Sequence, residues 1–389
     1  MEDEMKTERD ITLEAWLSAL APAHGILLDT LVPASSDAGF RRYFRVGTSS
    51  GGTLIVMDAP PAHENLPAYV QVNKLMAAAG LNVPRVYAAD EMQGFALISD
   101  LGKETFLDVL NEENAAKLFD AATSALVKWQ KASRPGQLPL YDREVLLREL
   151  NLFPEWYVKR HCGVEWDAKH EKWWQMSVDA ILKSNLADAK VFVHRDFMPR
   201  NLMVSDPLPG VIDFQDALMG PVTYDIASLM RDAFISWDEA FVLDVTIRYW
   251  EKARKAGIPV PDDFGAFYRS VEFMGVQRHL KVLGIFAASD AMLAIGIPAM
   301  RIICLHFLLA GASIVLSSVF QALGNGVFSL IVSVCRQLFV LLPAAWLLAQ
   351  TGSVNNVWWA FLIAEVVSIL MSLAFYARIN KTTIAPLYH

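Results

Sequence analysis

One stretch, Val191 to Phe214, constrains the fold of this 389-residue chain more than any other. It opens with three apolar residues, which are typical of the buried end of a strand. Two largely apolar runs follow, Leu202–Val204 and Gly210–Phe214, and the segment between them contains two prolines. Short apolar runs joined by such a turn predict a hairpin of two strands. We therefore expect a strand, a loop and a hairpin in succession here.

The polar residues of the same stretch form an ordered set. Asp196 lies in the loop after the first strand, Asn201 comes five positions later, and Asp213 falls near the end of the hairpin. The hairpin folds Asp213 back toward Asn201, so that a carboxylate and an amide oxygen can hold a Mg²⁺ ion. Asp196 is then the carboxylate that can accept a proton from a hydroxyl. This order and spacing are those of kinase-type phosphoryl transfer.

The motif HRDFMPRN, followed by GVIDFQDALMGPVTYDIASLMRD, resembles the aminoglycoside phosphotransferase family of small-molecule kinases. The resemblance extends from about residue 13 to about residue 287. It implies an α+β fold of two lobes, like that of a protein kinase. The N-lobe would occupy residues 1–100, and the C-lobe with the catalytic loop residues 101–287.

The resemblance also implies cofactors and roles for particular residues. ATP and Mg²⁺ are the expected cofactors. Asp196 corresponds to the catalytic base, and Asn201 and Asp213 correspond to the metal ligands. His194 and Asp225 correspond to residues that support the catalytic loop.

Shorter motifs indicate a class of acceptor. The segments QDA, GPVTYD, RDAFISWDE and GVQRHLKVLGIF are most similar to those of amino-sugar kinases of peptidoglycan recycling. This implies a small-molecule sugar substrate, phosphorylated at its anomeric hydroxyl. Gln215 and Asp216, just beyond the metal ligand, and the aromatic rings of Trp156 and Tyr157 are candidate substrate contacts. An aminoglycoside acceptor remains an alternative, because an acidic domain suits a cationic drug.

The N-terminal part offers candidate nucleotide contacts. The spacing of its apolar residues predicts a helix over residues 11–28, and a loop of small residues then precedes a strand. Such a loop can lay backbone N–H groups on phosphates. Its candidate contacts are Ser36, Asp37 and Gly39. Ser99 and Leu101 lie where the related kinases join their lobes, and the resemblance implies adenine contacts there.

One feature departs from the usual kinase pattern. The strand predicted over residues 53–57 lacks the lysine that kinases use to hold the α and β phosphates. The preceding strand offers three arginines that could replace it, namely Arg41, Arg42 and Arg45. If none of them reaches the nucleotide, the chain would be an inactive remnant of a kinase.

The charge distribution separates the chain into two parts. The formal net charge is −8, and the six charged residues after residue 287 sum to +2, so the first 287 residues carry −10. An acidic domain argues against a nucleic-acid partner. Three scattered cysteines give neither a disulfide framework nor a metal motif. The acidic N-terminus lacks the apolar core of a signal peptide, so we expect the kinase part in the cytoplasm.

The segment 288–389 predicts an all-α, three-helix transmembrane tail. Its apolar stretches, at about 302–323, 327–349 and 357–377, have spanning length. Buried helices of a soluble domain are the alternative. Residues 290–381 resemble the last three helices of multidrug and toxic compound extrusion (MATE) transporters.

This resemblance implies a partial transporter bundle fused to the kinase and tethered to the inner membrane. Three helices cannot form an alternating-access pathway, so we expect no transport by this chain alone. No protein partner is predicted. A membrane-bound fusion remnant without kinase activity remains the alternative.

Overall fold

The computed structural model describes residues 7–36, 40–288 and 326–381, with single positions at 299, 302 and 320. The chain divides into two compact units. The first comprises Met1–Phe153 and Glu165–Val282, and the second comprises Pro154–Val164 and Leu283–His389. Apart from positions 302 and 320, the first expected membrane span, 302–323, lies outside the described residues.

Among the described residues, the first unit contains nine strands and most of the helices. Its strands are β1 Ile26–Ser36, β2 Arg42–Thr48, β3 Thr53–Asp58, β4 Val86–Asp90, β5 Phe95–Ser99, β6 Lys190–Val193, β7 Leu202–Met203, β8 Gly210–Val211 and β9 Leu218–Pro221. Its helices are α1 Glu8–His24, α2 Leu66–Ala78, α3 Phe106–Val109, α4 Ala115–Lys131, α5 Arg143–Leu152, α6 Ala168–Ala187, α7 Tyr224–Met230, α8 Glu239–Lys255 and α9 Phe264–Ala287, with a 3₁₀ turn at Pro199–Asn201. The end of α9 and most of the π-helical segment Phe153–His161 belong to the second unit.

An antiparallel sheet of five strands, in the order β1-β2-β3-β5-β4, forms the N-terminal lobe. Strands β2 and β3, which the sequence predicted, pair with Val46 opposite Leu54, and β4 pairs with β5 through Ala89 opposite Ala96. Helix α1 packs Leu13 on this sheet, and the resulting core excludes water from its inner face.

The first helix is shorter than its periodicity predicts, and the strand after it was missed. Helix α1 ends at His24, because Gly25 adopts φ 64°, a left-handed conformation that terminates helices. A Cβ at this position would overlap the side chain of Ser49. The apolar residues after Gly25 therefore begin β1 instead of continuing the helix.

The C-terminal lobe is largely helical and carries two small antiparallel sheets. Strand β6 pairs with β9, and β7 pairs with β8 through Leu202 opposite Val211. The second pair confirms the predicted hairpin, although both strands are shorter than expected. The apolar residues of β6 are buried with Phe197 and Phe214 in the main hydrophobic core. This burial fixes the end of β6. The loop that begins there contains His194, Arg195 and Asp196, and we call it the His-Arg-Asp loop.

From residue 326 onward, the described part of the second unit is largely helical and apolar. It contains Gly326–Val334, the π-helical Cys335–Leu341, Leu342–Ala349, Val354–Val357 and Trp359–Ile379. Two stretches among the described residues, Ile331–Ala349 and Asn355–Ile379, are long and apolar enough to cross a membrane. Length and composition are weak evidence when only two such helices are found.

An ion pair joins these two stretches. Arg336 Nη1 lies 3.2 Å from Glu365 Oε2, and the Glu365 side chain is fully buried. Charged residues inside apolar helices are costly unless they are paired, so this contact fixes how the two helices face each other.

Candidate active site

One buried carboxylate, that of Asp225, anchors the His-Arg-Asp loop through hydrogen bonds to its backbone. Asp225, in the first turn of α7, accepts the backbone N–H of His194 at 2.7 Å and of Arg195 at 3.0 Å. Burial raises the pKa of Asp225 to about 6. Arg195 has φ 78°, a conformation that costs a non-glycine residue ~1–3 kcal/mol. Asp225 therefore stabilises a strained turn directly before Asp196.

The imidazole of His194 connects this loop to the strand end that precedes Asp213. Its Nε2 donates to the carbonyl of Ile212 at 3.0 Å, and its Nδ1 accepts the backbone N–H of Asp196 at 3.3 Å. His194 is fully buried. It is therefore a structural link between the two segments and does not face solvent.

The three residues singled out by the sequence come together as expected from the hairpin. Asn201 Nδ2 donates to the backbone carbonyl of Asp196 at 2.9 Å and lies 3.3 Å from Asp213 Oδ2. Among the described residues, no group donates a hydrogen bond to the carboxylate of Asp196. Its two oxygens are thus available to a ligand.

The pair Asn201 and Asp213 fits a divalent cation. Asn201 uses only its nitrogen for hydrogen bonds, so its amide oxygen remains available within the described part of the chain. Burial and the nearby charge of Asp196 raise the pKa of Asp213, although a bond from Gln215 Nε2 opposes the shift. Asp196 and Asp213 are close carboxylates, and the nearby cations do not fully balance their negative charge. A bound divalent cation would neutralise that charge.

The described residues contain no cluster of three histidine, cysteine or acidic ligands. Two protein oxygen ligands are nevertheless enough for Mg²⁺ at a phosphate site, because water and phosphate oxygens complete its coordination. Asp213 also has φ 63°, a second left-handed residue other than glycine. Such strain concentrates at functional sites.

A cleft of about 380 Å³ lies between the two lobes of the first unit. Asn201 and Asp213 form part of its wall, and so do Ser99 and Leu101, as the sequence predicted. Its apolar lining residues are Ala34, Tyr43, Ile55, Tyr69, Pro84, Ile98, Leu101, Met203 and Ile212. Apolar surfaces from both lobes suit a flat aromatic ring system.

The three candidate arginines have different surroundings. Arg45 lines the cleft and donates to Asp100, with its Nε 2.5 Å from Oδ2. Arg42 is paired with the buried Asp58 and with Asp10 instead, and it is not part of the cleft wall.

Arg41 is the arginine nearest to the predicted metal ligands. Its Nη1 lies 3.7 Å from Asp213 Oδ1, and its Nε and Nη2 both lie 2.8 Å from Glu64 Oε2. Only 12% of its side chain is exposed. The carboxylate of Glu64 thus orients the guanidinium next to Asp213.

The remaining predicted residues are not all found at this site. Gln215 contacts Asp213, while the exposed Asp216 lies 4.0 Å from Arg195 Nη1. Ser36 ends β1, and Asp37 and Gly39 lie outside the described residues. Trp156 and Tyr157 belong to the second unit.

Sequence reasoning missed two acidic residues near the loop, Glu64 and Glu149. Glu149 bonds Arg195 at 2.8 Å. A signal for Glu64 existed, since it stands just before a helix that follows a lysine-less strand. Glu149 lies within an ordinary amphipathic helix, α5, and only tertiary packing brings it to the loop.

Taken together, the two-lobed fold, the interlobe cleft and the Asp196–Asn201–Asp213 geometry define a kinase-type phosphotransferase. The model of the phosphotransferase enzyme family (APH) matches residues 30–260. The chain belongs to this family, which confirms the resemblance and the enzyme class. Kinase-like members of such a family use ATP with a divalent metal.

Characterised proteins of similar sequence are sugar kinases. The N-acetylmuramate/N-acetylglucosamine kinase of Pseudomonas aeruginosa is 55% identical over 259 residues, covering 66% of this chain and 76% of that protein. The enzyme of the same name from Neisseria meningitidis serogroup B is 51% identical over 284 residues, covering 72% and 84%.

A solved macrolide 2′-phosphotransferase type I superposes with a TM-score of 0.52 at 16% identity. The match covers 74% of this chain and 96% of that one. At so low an identity it supports the protein-kinase-like α+β fold alone.

Proposed function

We propose that this chain transfers the γ-phosphoryl group of ATP to the anomeric hydroxyl of an N-acetylated amino sugar, N-acetylmuramate or N-acetylglucosamine. The observation that carries the proposal is the agreement between two findings. Relatives that are 50% or more identical to this chain are named N-acetylmuramate/N-acetylglucosamine kinases. In addition, the carboxylate of Asp196 stands beside an Asn201–Asp213 pair that fits Mg²⁺.

In this mechanism Asp196 accepts the proton of the attacking sugar hydroxyl. The hydroxyl oxygen forms a bond to the γ-phosphorus while the bond to the β-γ bridging oxygen breaks, and ADP leaves with that oxygen. Asn201 and Asp213 would hold Mg²⁺, which neutralises phosphate charge when bound. His194 and Asp225 position the loop through the backbone bonds described above.

Arg41 is the cation that we propose in place of the missing strand lysine. In kinases that lysine is oriented by a glutamate, and Arg41 has such a partner in Glu64. Its position 3.7 Å from Asp213 puts a fixed positive charge next to the phosphate site. The retained geometry argues against the alternative of an inactive remnant.

The proposal also includes the other candidate contacts to the nucleotide and to the sugar. Ser99 and Leu101 would present backbone groups to adenine at the cleft wall, which they line. Ser36, Asp37 and Gly39 would cover the phosphates, and Arg42 would stabilise the lobe through Asp58. Gln215 and Asp216 would meet the sugar, and Trp156 and Tyr157 remain candidate sugar contacts.

An aminoglycoside acceptor is the second candidate, and local charge disfavours it. Arg195, Arg278 and Lys281 lie next to the catalytic loop, with Arg278 Nη1 donating to the carbonyl of Arg195 at 2.9 Å. Cations near Asp196 would repel a polycationic drug. An uncharged or anionic sugar suits this surrounding better.

The apolar helices of the second unit support a further proposal about location. The kinase part would act in the cytoplasm, and residues 288–389 would tether it to the inner membrane as a partial transporter bundle of three helices. Extraction of cell membranes with alkaline carbonate tests this. Retention of the full chain in the membrane pellet is expected, and release into the supernatant would contradict the tether.

Acceptor selectivity tests the proposed function itself. The full chain, purified in detergent, would be given ATP and Mg²⁺ with each N-acetyl sugar and with an aminoglycoside in parallel. We expect transfer to the N-acetyl sugars and none above background to the aminoglycoside. Transfer to the aminoglycoside alone would contradict the proposed acceptor while leaving the enzyme class intact.

A further inference from the structure

A group of charged side chains lies beside the catalytic loop and outside the nucleotide cleft. It consists of Glu149 from α5, Arg195 from the loop and Lys281 from α9, all in the first unit, and we call it the Glu149 cluster. Asn201 and Asp213 line the cleft, whereas none of the three cluster residues is found among the described residues of its wall. The cluster therefore flanks the catalytic loop away from the nucleotide.

Two cations of the cluster share one carboxylate oxygen. Arg195 Nη2 lies 2.8 Å from Glu149 Oε1, and Lys281 Nζ lies 3.2 Å from the same atom. The other oxygen of Glu149 accepts the hydroxyl of Tyr141. Within the cluster, one carboxylate faces two cations, which leaves these three side chains with a net charge of +1. The exposed Asp216 offsets part of this charge at longer range, with its Oδ1 4.0 Å from Arg195 Nη1.

This excess charge is partly shielded from water. The side chains of Lys281 and Arg195 are 14% and 20% exposed, and Glu149 is 6% exposed. Arg278 adds a third, buried cation, which donates to the carbonyl of Arg195 and lies within electrostatic reach of the carboxylates of Asp225 and Asp232. Keeping incompletely paired cations away from water is costly, and a bound anion would offset that cost.

Lys281 also faces the charge of the catalytic loop. Burial lowers the pKa of Lys281, but the oxygens of Tyr224, Glu149 and Asp196 outweigh this effect and raise it. The charged ammonium is therefore within electrostatic reach of Asp196. Of its three N–H groups, hydrogen-bonding contacts in the described residues involve Glu149 and the Tyr224 hydroxyl. One N–H group is left for a ligand.

We propose that Lys281 and Arg195 bind a carboxylate on the acceptor sugar. This inference rests on the proposed function. N-acetylmuramate carries a lactyl ether with a carboxylate, whereas N-acetylglucosamine has a hydroxyl there. When the anomeric hydroxyl meets Asp196, the carboxylate would lie at the Glu149 cluster. The cluster then determines the preference for a sugar acid over a neutral sugar.

A purely structural role for the cluster predicts a different result. Lys281 and Arg195 could simply hold the catalytic loop through Glu149. Loss of Lys281 would then reduce turnover of every acceptor by the same factor. Only a direct contact with the carboxylate makes the loss depend on the charge of the acceptor, so the ratio between acceptors separates the two roles.

The test compares N-acetylmuramate with its uncharged methyl ester, using the full chain in detergent. We expect wild type to have a kcat/KM for the acid on the order of tenfold or more above that for the ester, mainly through KM. Lys281→Gln should reduce this ratio severalfold, because only Arg195 is left to bind the carboxylate, and Lys281→Arg should retain most of it. Lys252→Gln is the matched control. Lys252 forms an ion pair with Asp120 of helix α4 and is not part of the Glu149 cluster.

Two results would overturn the inference. One is a wild-type enzyme that does not distinguish the acid from the ester. The other is an acid-to-ester ratio that stays the same in Lys281→Gln. In both cases phosphorylation of the sugars would leave the proposed function standing. If the folded wild type phosphorylates neither compound nor N-acetylglucosamine, the proposed function itself fails. The wild-type comparison remains decisive even if Lys281→Gln does not fold.

Discussion

Arg41 Nη1 and Asp213 Oδ1 lie 3.7 Å apart, although Arg41 precedes β2 in the N-terminal lobe and Asp213 follows β8 in the C-terminal lobe. The contact brings a cation of one lobe to the predicted metal ligand of the other. Glu64 holds the same guanidinium at 2.8 Å. The arrangement supplies a charge that the sequence of β3 lacks.

Substitution of Arg41 tests whether it replaces the strand lysine. Arg41→Gln should raise KM for ATP and lower kcat, for a combined loss in kcat/KM on the order of a hundredfold, because a fixed cation at the phosphates is removed. Steady-state kinetics with varied ATP measure this. Arg254→Gln, which removes an exposed ion pair with Asp262 and a cation–π contact with Trp250, is the control. Equal kinetics for both variants would rule out the proposed role of Arg41.

The proposed metal ligands, Asn201 and Asp213, predict a change in Mg²⁺ dependence. Asp213→Asn removes a charged oxygen ligand, so the Mg²⁺ concentration for half-maximal rate should rise on the order of tenfold or more, with a lower maximal rate. Titration of activity with Mg²⁺ at saturating ATP and sugar gives both values. Asp179→Asn, on the exposed face of α6, is the matched control. An unchanged Mg²⁺ midpoint in Asp213→Asn would contradict the assignment.

Asp225 predicts a pH dependence of stability. Burial raises its pKa from 3.8 to about 6, so the folded state binds the proton more tightly than the unfolded state. The contribution of Asp225 is therefore greatest below pH 4 and is lost as the pH rises through 6, by about 3 kcal/mol. Urea unfolding of wild type and Asp225→Asn between pH 4 and 7 isolates it.

The difference in unfolding free energy between wild type and Asp225→Asn should fall with rising pH over that window. A difference that is constant, or that rises with pH, would contradict the raised pKa. Asp225→Asn should also slow turnover. The two carboxylate oxygens of Asp225 each accept one backbone N–H of the loop, and the amide nitrogen of asparagine cannot accept a hydrogen bond in place of one of them.

The apolar tail predicts a compensating pair of substitutions. Glu365→Arg alone places two cations together at a buried position and should destabilise the tail strongly, by roughly 3–5 kcal/mol. The double variant Arg336→Glu with Glu365→Arg restores opposite charges and should recover most of that loss. Protease resistance of the tail in detergent reports the result. A double variant no better than the single one would argue against the ion pair.

The geometry of the candidate catalytic site could be predicted from the sequence because its residues lie in one stretch that folds through a short hairpin. Asp196, Asn201 and Asp213 fall within one stretch, and the local turn dictates their meeting. The strands β2 and β3 were also predicted, because their sequence patterns are local. In contrast, β1 was not predicted. Its first three residues were assigned to the helix over residues 11–28 and its end to a loop of small residues, since apolar spacing alone cannot show that Gly25 ends the helix.

The parts that could not be predicted depend on contacts between distant segments. Three arginines near β2 were equivalent in sequence, and only the tertiary fold pairs Arg42 with Asp58 and leaves Arg41 beside Asp213. The Glu149 cluster joins α5, the loop and α9, and no periodicity marks it. Backbone groups can bind adenine whatever side chains they carry. The adenine contacts predicted for Ser99 and Leu101 therefore rest on the family resemblance alone.

The most direct test of the central claim is sugar-dependent transfer of the γ-phosphoryl group by wild type and Asp196→Ala. The full chain in detergent would be mixed with γ-labelled ATP, Mg²⁺ and N-acetylmuramate, and the labelled sugar followed in time. We expect a sugar 1-phosphate from wild type and a rate lower by a hundredfold or more in Asp196→Ala, the usual size of a lost general base. Equal rates for the two proteins, or no labelled sugar from a folded wild type that binds ATP, would contradict it.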